Sequence, residues 1–220
     1  MNAHITFILS LSCGLPLLAY LFTYQRIDKN YQPLVLVFCL ALFTELFVHL
    51  SRSFLHINNG SYYIYTLATI GWLYLYFRFY KNQGLFKNQP VYRVLLVAYI
   101  IFILLNWSLL FKSEGFFNFF RTGVVYAAII LFFSVELFSR QIFGSGNNIL
   151  TNPLFLIGLS GVMFHAYYIF TTALILLRTS DGVFMNRVSD IQKIVNVLCY
   201  ILYAIAVLCI PKVKNYIKSF

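Results

Sequence analysis

Seven apolar runs, most about as long as a bilayer is thick, follow one another along this 220-residue chain with only short polar breaks between them. A helix needs ~20 apolar residues to cross the hydrocarbon core. Seven such helices take up ~140 residues, so little beyond loops remains for a soluble catalytic or DNA-binding domain. Composition agrees: 61% of the side chains are hydrophobic and 10% are charged. Soluble domains carry roughly a quarter charged residues. The expectation is an all-α protein, a single seven-helix transmembrane domain over residues 1–220.

The breaks place the helices at about 4–24, 33–55, 61–80, 91–111, 117–140, 150–177 and 191–210. Pro33, Pro90 and Pro153 stand at or just before helix starts, where a missing N–H is harmless. The turns His56-Ile-Asn-Asn-Gly60 and Gly144-Ser-Gly-Asn-Asn148 separate helices, and Pro211 is read as the stop of the last one. The opening Met1-Asn-Ala-His4 has no basic segment before its apolar run, which predicts a spanning helix rather than a cleaved signal.

The net charge of +10 is explained by topology, and no nucleic-acid partner is expected. One side of the seven-helix arrangement collects Arg26, Lys29, Arg78, Lys81, Lys87, Arg93, Arg140, Lys212, Lys214 and Lys218. The other holds Arg52, Lys112, Arg121, Arg178, Arg187 and Lys193, diluted by Glu114, Asp181 and Asp190. The richer side is the cytoplasmic one. The N-terminus is then outside and the C-terminus inside.

Several chemistries find no support. Cys13, Cys39, Cys199 and Cys209 lie in apolar runs, form no C-x-x-C pair and read as small buried hydrophobes. There is no H-E-x-x-H, no G-x-S-x-G and no Walker A loop. Four histidines are too few for the repeated His boxes of membrane di-iron enzymes, and no lysine sits mid-helix in the last run for a retinal Schiff base. No metal and no cofactor are expected.

The informative residues are the polar ones inside the apolar runs, because a costly intramembrane group faces the bundle interior or a cavity. Glu45, His49, Arg52 and His56 share one face of the second helix. Tyr62, Tyr65, Thr69, Trp72 and Tyr76 share one face of the third. The sixth aligns Gly161, His165, Tyr168 and Thr172, and the seventh groups Asn196, Tyr200 and Tyr203. Glu45 and His165 each lie twelve residues beyond their opening prolines, Pro33 and Pro153. That is roughly 18 Å along the helix, near or just past the midplane. The candidate ligand-binding set is Glu45, His49, Arg52, Thr69, His165, Tyr168, Asn196 and Tyr200. It predicts a cavity open to the outside and floored near Glu45 and His165. A structural network without ligand competes with it, in which Glu45 and His49 pair within their own helix and Arg52 completes the set. Glu136 and Arg140, also four apart, are expected to neutralise each other.

An internal repeat fits part of the pattern. Gln32-Pro-Leu-Val-Leu-Val and Asn152-Pro-Leu-Phe-Leu-Ile open the second and sixth runs, and the same offset carries Glu45 onto His165. A parallel 3+1+3 arrangement would follow. Gly123 with Ala127, and Gly158 with Gly161, permit close helix packing and would also allow a homo-oligomer.

Leu42-Phe-Thr-Glu-Leu-Phe47, Ile57-Asn-Asn-Gly-Ser-Tyr-Tyr-Ile-Tyr-Thr66, Asn152-Pro-Leu-Phe-Leu-Ile157 and Leu202-Tyr-Ala-Ile-Ala206 together resemble an uncharacterised family of short heptahelical membrane proteins common in Bacteroidota. The resemblance spans nearly the whole chain and implies a seven-helix topology in a bacterial inner membrane, without an agreed activity. The family pattern has a second carboxylate in its third helix, where this chain has Thr69, Ile70 and Gly71. A looser analogy is to 3+1+3 solute transporters of the sugar-efflux and vitamin-uptake type. The chain lacks their Pro-Gln dipeptide, and its fifth run has no proline to match Pro16.

Three functions follow as expectations. The first is a non-enzymatic membrane module that senses a ligand from the outer face or serves as the membrane subunit of a larger complex, with a membrane or cytoplasmic protein partner. The second is a small-solute carrier with a midplane site at Glu45 and His165. The third is an intramembrane lipid-modifying enzyme using Glu45 with His49 or His165 as acid and base.

Overall fold

The computed structural model describes residues 3–23, 28–54, 60–85, 89–110, 115–144, 149–177 and 182–210. They form helices throughout, with no strand among the described residues: α1 (Ala3–Ser10), α2 (Leu15–Thr23), α3 (Gln32–Phe54), α4 (Gly60–Asn82), α5 (Gln89–Leu110), α6 (Gly115–Gly144), α7 (Pro153–Leu176) and α8 (Gly182–Leu208). α1 and α2 occupy the first apolar run, and the other six elements correspond to the remaining runs.

Two local results differ from the sequence reading. The first run is not one continuous helix, because a 3-10 turn over Leu11–Gly14 separates α1 from α2. Pro16 accounts for this. It has no N–H to donate, and its ring crowds the carbonyl four residues back. The chain tightens instead, and Leu15 N–H bonds to Ser12 O. The last helix starts at Gly182, well before the expected 191. Asn186, Arg187, Ser189 and Asp190 interrupt its early turns, so hydropathy misses them, yet a helix satisfies its own backbone at any polarity. Arg187 is exposed, and Lys193 pairs with Asp190 at 3.0 Å. α8 ends at Leu208, and Pro211 lies outside the described residues.

Helix entries follow capping chemistry. The Asn152 side chain accepts from Leu154 N at 2.9 Å and Phe155 N at 3.4 Å, and Pro153 opens α7. The Asn152 amide also donates to Gln141 Oε1 at 2.9 Å, which ties the start of α7 to the end of α6. Asp28 caps a short 3-10 turn, Lys29–Tyr31, that leads into α3.

The helix contacts run in a closed circuit. α2 packs on α3, α3 on α4, α4 on α6, α6 on α7, α7 on α8, and α8 back on α2. α5 leans on α4 and α6 from the side. The α6–α7 contact is the most extensive, and glycines make it close. A Cβ on Gly158 would stand 2.9 Å from Phe138 N, and one on Gly161 would collide with the Ser134 hydroxyl. Gly71 plays the same part between α4 and α3, where a Cβ would meet Leu40 at 2.8 Å. Small residues of this kind drive association in lipid, where packing replaces hydrophobic burial.

Four described spans are long and apolar enough to cross a membrane: Lys29–Ser51, Phe120–Phe143, Pro153–Leu176 and Asp190–Leu208. Phe7–Thr23 and Val91–Asn106 are shorter apolar stretches. α4 is diluted by tyrosines, yet it is deeply enclosed, with Leu73, Phe77, Phe79 and Tyr80 buried. The surface is the reverse of a water-soluble one. Phe22, Phe132, Leu105 and Phe143 point outward, up to 90% exposed, while Thr66, Thr122, Ser134, Ser160 and His165 are buried. Continuous outward apolar surface is the mark of contact with lipid.

Candidate functional site

Five helices of the circuit enclose a cavity of about 260 Å³. α3 supplies Phe38, Ala41 and Glu45, and α4 supplies Tyr65, Thr69, Trp72 and Tyr76. α6 contributes Gly123 and Tyr126, α7 contributes Phe164, His165 and Tyr168, and α8 contributes Gln192, Asn196, Tyr200 and Tyr203. The lining runs from Val37 and Phe38, near the start of α3, to Glu45, and from Tyr65 to Tyr76 in α4, so the cavity lies across the middle of the bundle and reaches deeper than the floor expected at Glu45 and His165. Phe7 of α1 stacks on His49, one turn beyond Glu45, at a ring separation of 3.7 Å.

Glu45 and His165 both line this cavity. The Glu45 carboxylate accepts a hydrogen bond from the Tyr65 hydroxyl at 3.0 Å, which joins α3 to α4. His165 is 1% exposed. Its Nδ1 lies 2.8 Å from Gly161 O. A carbonyl oxygen only accepts, so Nδ1 carries a proton. Nε2 has no hydrogen-bond partner. The ring is held edge-on by Phe164, Tyr126 and Tyr76, with centroid separations of 5.1, 5.8 and 6.1 Å. A second buried polar atom, Trp72 Nε1, also has no partner. Such groups are rare because each costs about 1–3 kcal/mol when left unsatisfied. Both belong to residues that line the cavity.

The walls are braced from behind. Tyr99 of α5 is buried and donates to Thr69 Oγ1 at 2.9 Å, and Thr69 donates to Thr66 O at 2.6 Å. Tyr99 also reaches Thr122 O at 3.4 Å. Gly123 leaves room for the Tyr168 hydroxyl, which a Cβ there would strike. Phe38 packs edge-on against Tyr203 at 5.0 Å and Tyr200 at 6.3 Å, closing the inner end.

Of the eight residues singled out from the sequence, six line the cavity: Glu45, Thr69, His165, Tyr168, Asn196 and Tyr200. His49 does not line it, since it is turned to Phe7. The Arg52 side chain and His56 lie outside the described residues. Tyr126, Phe164 and Gln192 also line the cavity and were not singled out. Tyr126 and Phe164 sit among many apolar residues, and nothing in the one-dimensional pattern separates a cavity ring from a lipid-facing one. Gln192 falls at the expected mouth of the last helix, where a polar residue is ordinary. It could have been found by continuing the Asn196, Tyr200, Tyr203 face back by one turn.

The pair expected at the basic end is present: Arg140 Nε lies 2.8 Å from Glu136 Oε1, and Arg140 also donates to Gly84 O at 3.2 Å. Asn106 bonds back to Phe102 O at 2.7 Å within its own helix. Cys13 and Cys199 are buried, Cys209 is partly buried and Cys39 is exposed; all are free. No group of three or more His, Cys, Asp or Glu residues suited to a metal occurs among the described residues.

The fold and site define a class: an all-helical protein, four of its described spans long and apolar enough to cross a membrane, around a largely apolar cavity that holds a few polar side chains. No family model, no curated protein and no solved structure matches the chain.

Proposed function

We propose that this chain is a seven-span membrane protein, N-terminus outside and C-terminus cytoplasmic, that binds a small ligand from the outer side and acts as a non-enzymatic sensing or accessory module. The reading extends the four long apolar spans by α1 with α2, α4 and α5. One observation carries it: a cavity lined both by Glu45 and by buried His165, whose Nε2 has no hydrogen-bond partner. Convergent polar groups in an otherwise apolar pocket are the usual mark of a ligand site. The opposite half of the bundle is filled by Leu34, Leu73, Phe77, Tyr80, Leu137, Ile157 and Val207, all buried. This favours binding from one side. Exposed Arg78 and Arg93 at the filled end suit anionic lipid headgroups or a protein partner that takes the signal onward.

The test is native mass spectrometry from nanodiscs, joined to a thermal-shift screen with anionic, neutral and cationic small molecules. A bound molecule that is lost or weakened in Glu45→Gln supports the reading. Identical melting with every class, and no retained molecule, removes it.

The solute carrier is the second reading, and the helix circuit is what favours it. α5 lies outside the circuit of the other helices, as the linking helix of a 3+1+3 arrangement would. A 3+1+3 carrier would place its site between its two halves. Tracer accumulation in liposomes that Glu45→Gln abolishes would replace the first reading with this one. No accumulation of a compound that binds would exclude it.

A further inference from the structure

We infer that the ligand is a small uncharged aromatic molecule that carries both a hydrogen-bond donor and an acceptor, as a carboxamide does. The inference deepens the reading of the cavity as a ligand site and rests on it.

Several polar groups on the wall are met within the protein. Glu45 accepts from the Tyr65 hydroxyl, and Thr69 bonds to Tyr99 and to Thr66 O. The Tyr76 and Tyr203 side chains bond to each other, and Tyr168 bonds to Thr172. Among the described residues, two buried side-chain nitrogens have no partner, His165 Nε2 and Trp72 Nε1, and both residues line the cavity. Their polarities are opposite. Because Nδ1 of His165 donates to Gly161 O, Nε2 of the neutral ring offers a lone pair and needs a donor. Trp72 Nε1 can only donate, and it needs an acceptor.

Neither nitrogen is placed to find its partner elsewhere. The Nδ1 bond and the rings of Phe164, Tyr126 and Tyr76 fix the His165 ring. Trp72 leans on the same Tyr126, at a centroid separation of 6.2 Å, so both nitrogens belong to rings that share one neighbour. A molecule that supplies one donor and one acceptor there removes two desolvation costs at once. The remaining wall is mostly aromatic, with Phe38 and Tyr200 closing round the same space, and rings pack well against rings.

Charge and size narrow the class. Both unmet groups are dipoles, which neutral partners complete. The described lining holds no Lys or Arg, so an anion finds no countercharge there and faces Glu45. A cation built of N–H groups alone leaves Trp72 without an acceptor, and the Glu45 carboxylate is already engaged by Tyr65. A cavity of about 260 Å³ lies just below the usual range for drug-sized ligands, so a single substituted ring is the fitting size.

The experiment compares four probes of nearly one shape by titration calorimetry on the full chain in nanodiscs, with heats into empty nanodiscs subtracted. Benzamide is neutral with donor and acceptor. Acetophenone is neutral with the acceptor alone. Benzoate is the anion and protonated benzamidine the cation. Benzamide is expected to bind at least about tenfold tighter than either ion, and about fivefold tighter than acetophenone. His165→Phe should bring benzamide down to acetophenone and leave acetophenone unchanged. Trp72→Phe should weaken both neutral probes alike, by about threefold. Glu45→Gln loosens the hold on Tyr65 and should weaken both about twofold, without changing their ratio. If either ion binds as tightly as benzamide, and Ala41→Leu blocks it by filling the cavity, the uncharged assignment is overturned while the ligand site stands. A charged molecule retained by the purified protein overturns it in the same way. If the preference for benzamide over acetophenone survives His165→Phe, the assignment is overturned as well. If no probe binds and no molecule of any class is retained, both readings fall together.

Discussion

The same helices build two unlike halves. Towards the basic end, α3, α4, α6, α7 and α8 meet through the buried side chains of Leu34, Phe77, Ile130, Leu137, Ile157 and Ala206. Above Phe38 and Tyr203 the same five hold polar side chains apart around a cavity. In the filled half, glycines let backbones approach, as at Gly158 against Phe138. In the cavity half, Gly123 gives its space to a tyrosine hydroxyl instead. A stripe of small residues therefore does not declare its use. The outcome depends on what the opposite helix presents.

On this contrast, substitutions in the filled half should cost stability and those around the cavity should cost binding. The largest loss is expected for Phe77→Ala. Phe77 is 1% exposed and packs edge-on against Phe133 at 5.6 Å. Removing the ring leaves a void worth about 3 kcal/mol, read as lower thermal stability in nanodiscs. Gly158→Leu should cost about 2 kcal/mol by forcing α6 from α7, visible as a lower melting temperature and earlier loss of the monodisperse peak in chromatography. A normal melting curve for either variant would break the contrast at its filled end.

Smaller effects sharpen the boundary. The Tyr80 and Ser134 hydroxyls meet at 2.8 Å between α4 and α6, both buried. Tyr80→Phe should cost about 1 kcal/mol, with ligand affinity unchanged. His165→Phe removes an unsatisfied nitrogen and keeps an aromatic body. Its melting point should stay within about 1 kcal/mol of the parent, or rise, while binding weakens. A large loss of stability there would mean that His165 is structural glue rather than part of a site.

Much of the architecture was legible in one dimension. Long apolar runs, prolines at helix starts and polar turns gave the helical elements, because in lipid each segment must satisfy its own backbone. The misplaced bounds have the same cause in reverse. Hydropathy ends at Lys193 and Asp190, but the hydrogen-bonded helix continues to Gly182. The break at Leu11–Gly14 has its cause in Pro16, which is visible in the sequence.

The site was legible in part. Helical spacing put Glu45 and His49 on one face, and equal depth linked Glu45 with His165. The partner of each was decided elsewhere. Glu45 is held by Tyr65, twenty residues on, and His49 by Phe7 from another helix. Tyr99 braces Thr69 from α5, none of whose described residues lines the cavity. The sequence alone determined that the chain is helical, that it is rich enough in apolar surface for lipid, and which polar groups are too costly to face that lipid. Only the tertiary structure decided which of those groups meet. In a soluble protein, apolar means inside. In a bilayer an apolar ring is equally at home against lipid or against a neighbouring helix, so hydrophobicity does not assign its side. The assignment falls to close packing at Gly71, Gly158 and Gly161, and that is a property of pairs of helices rather than of any one.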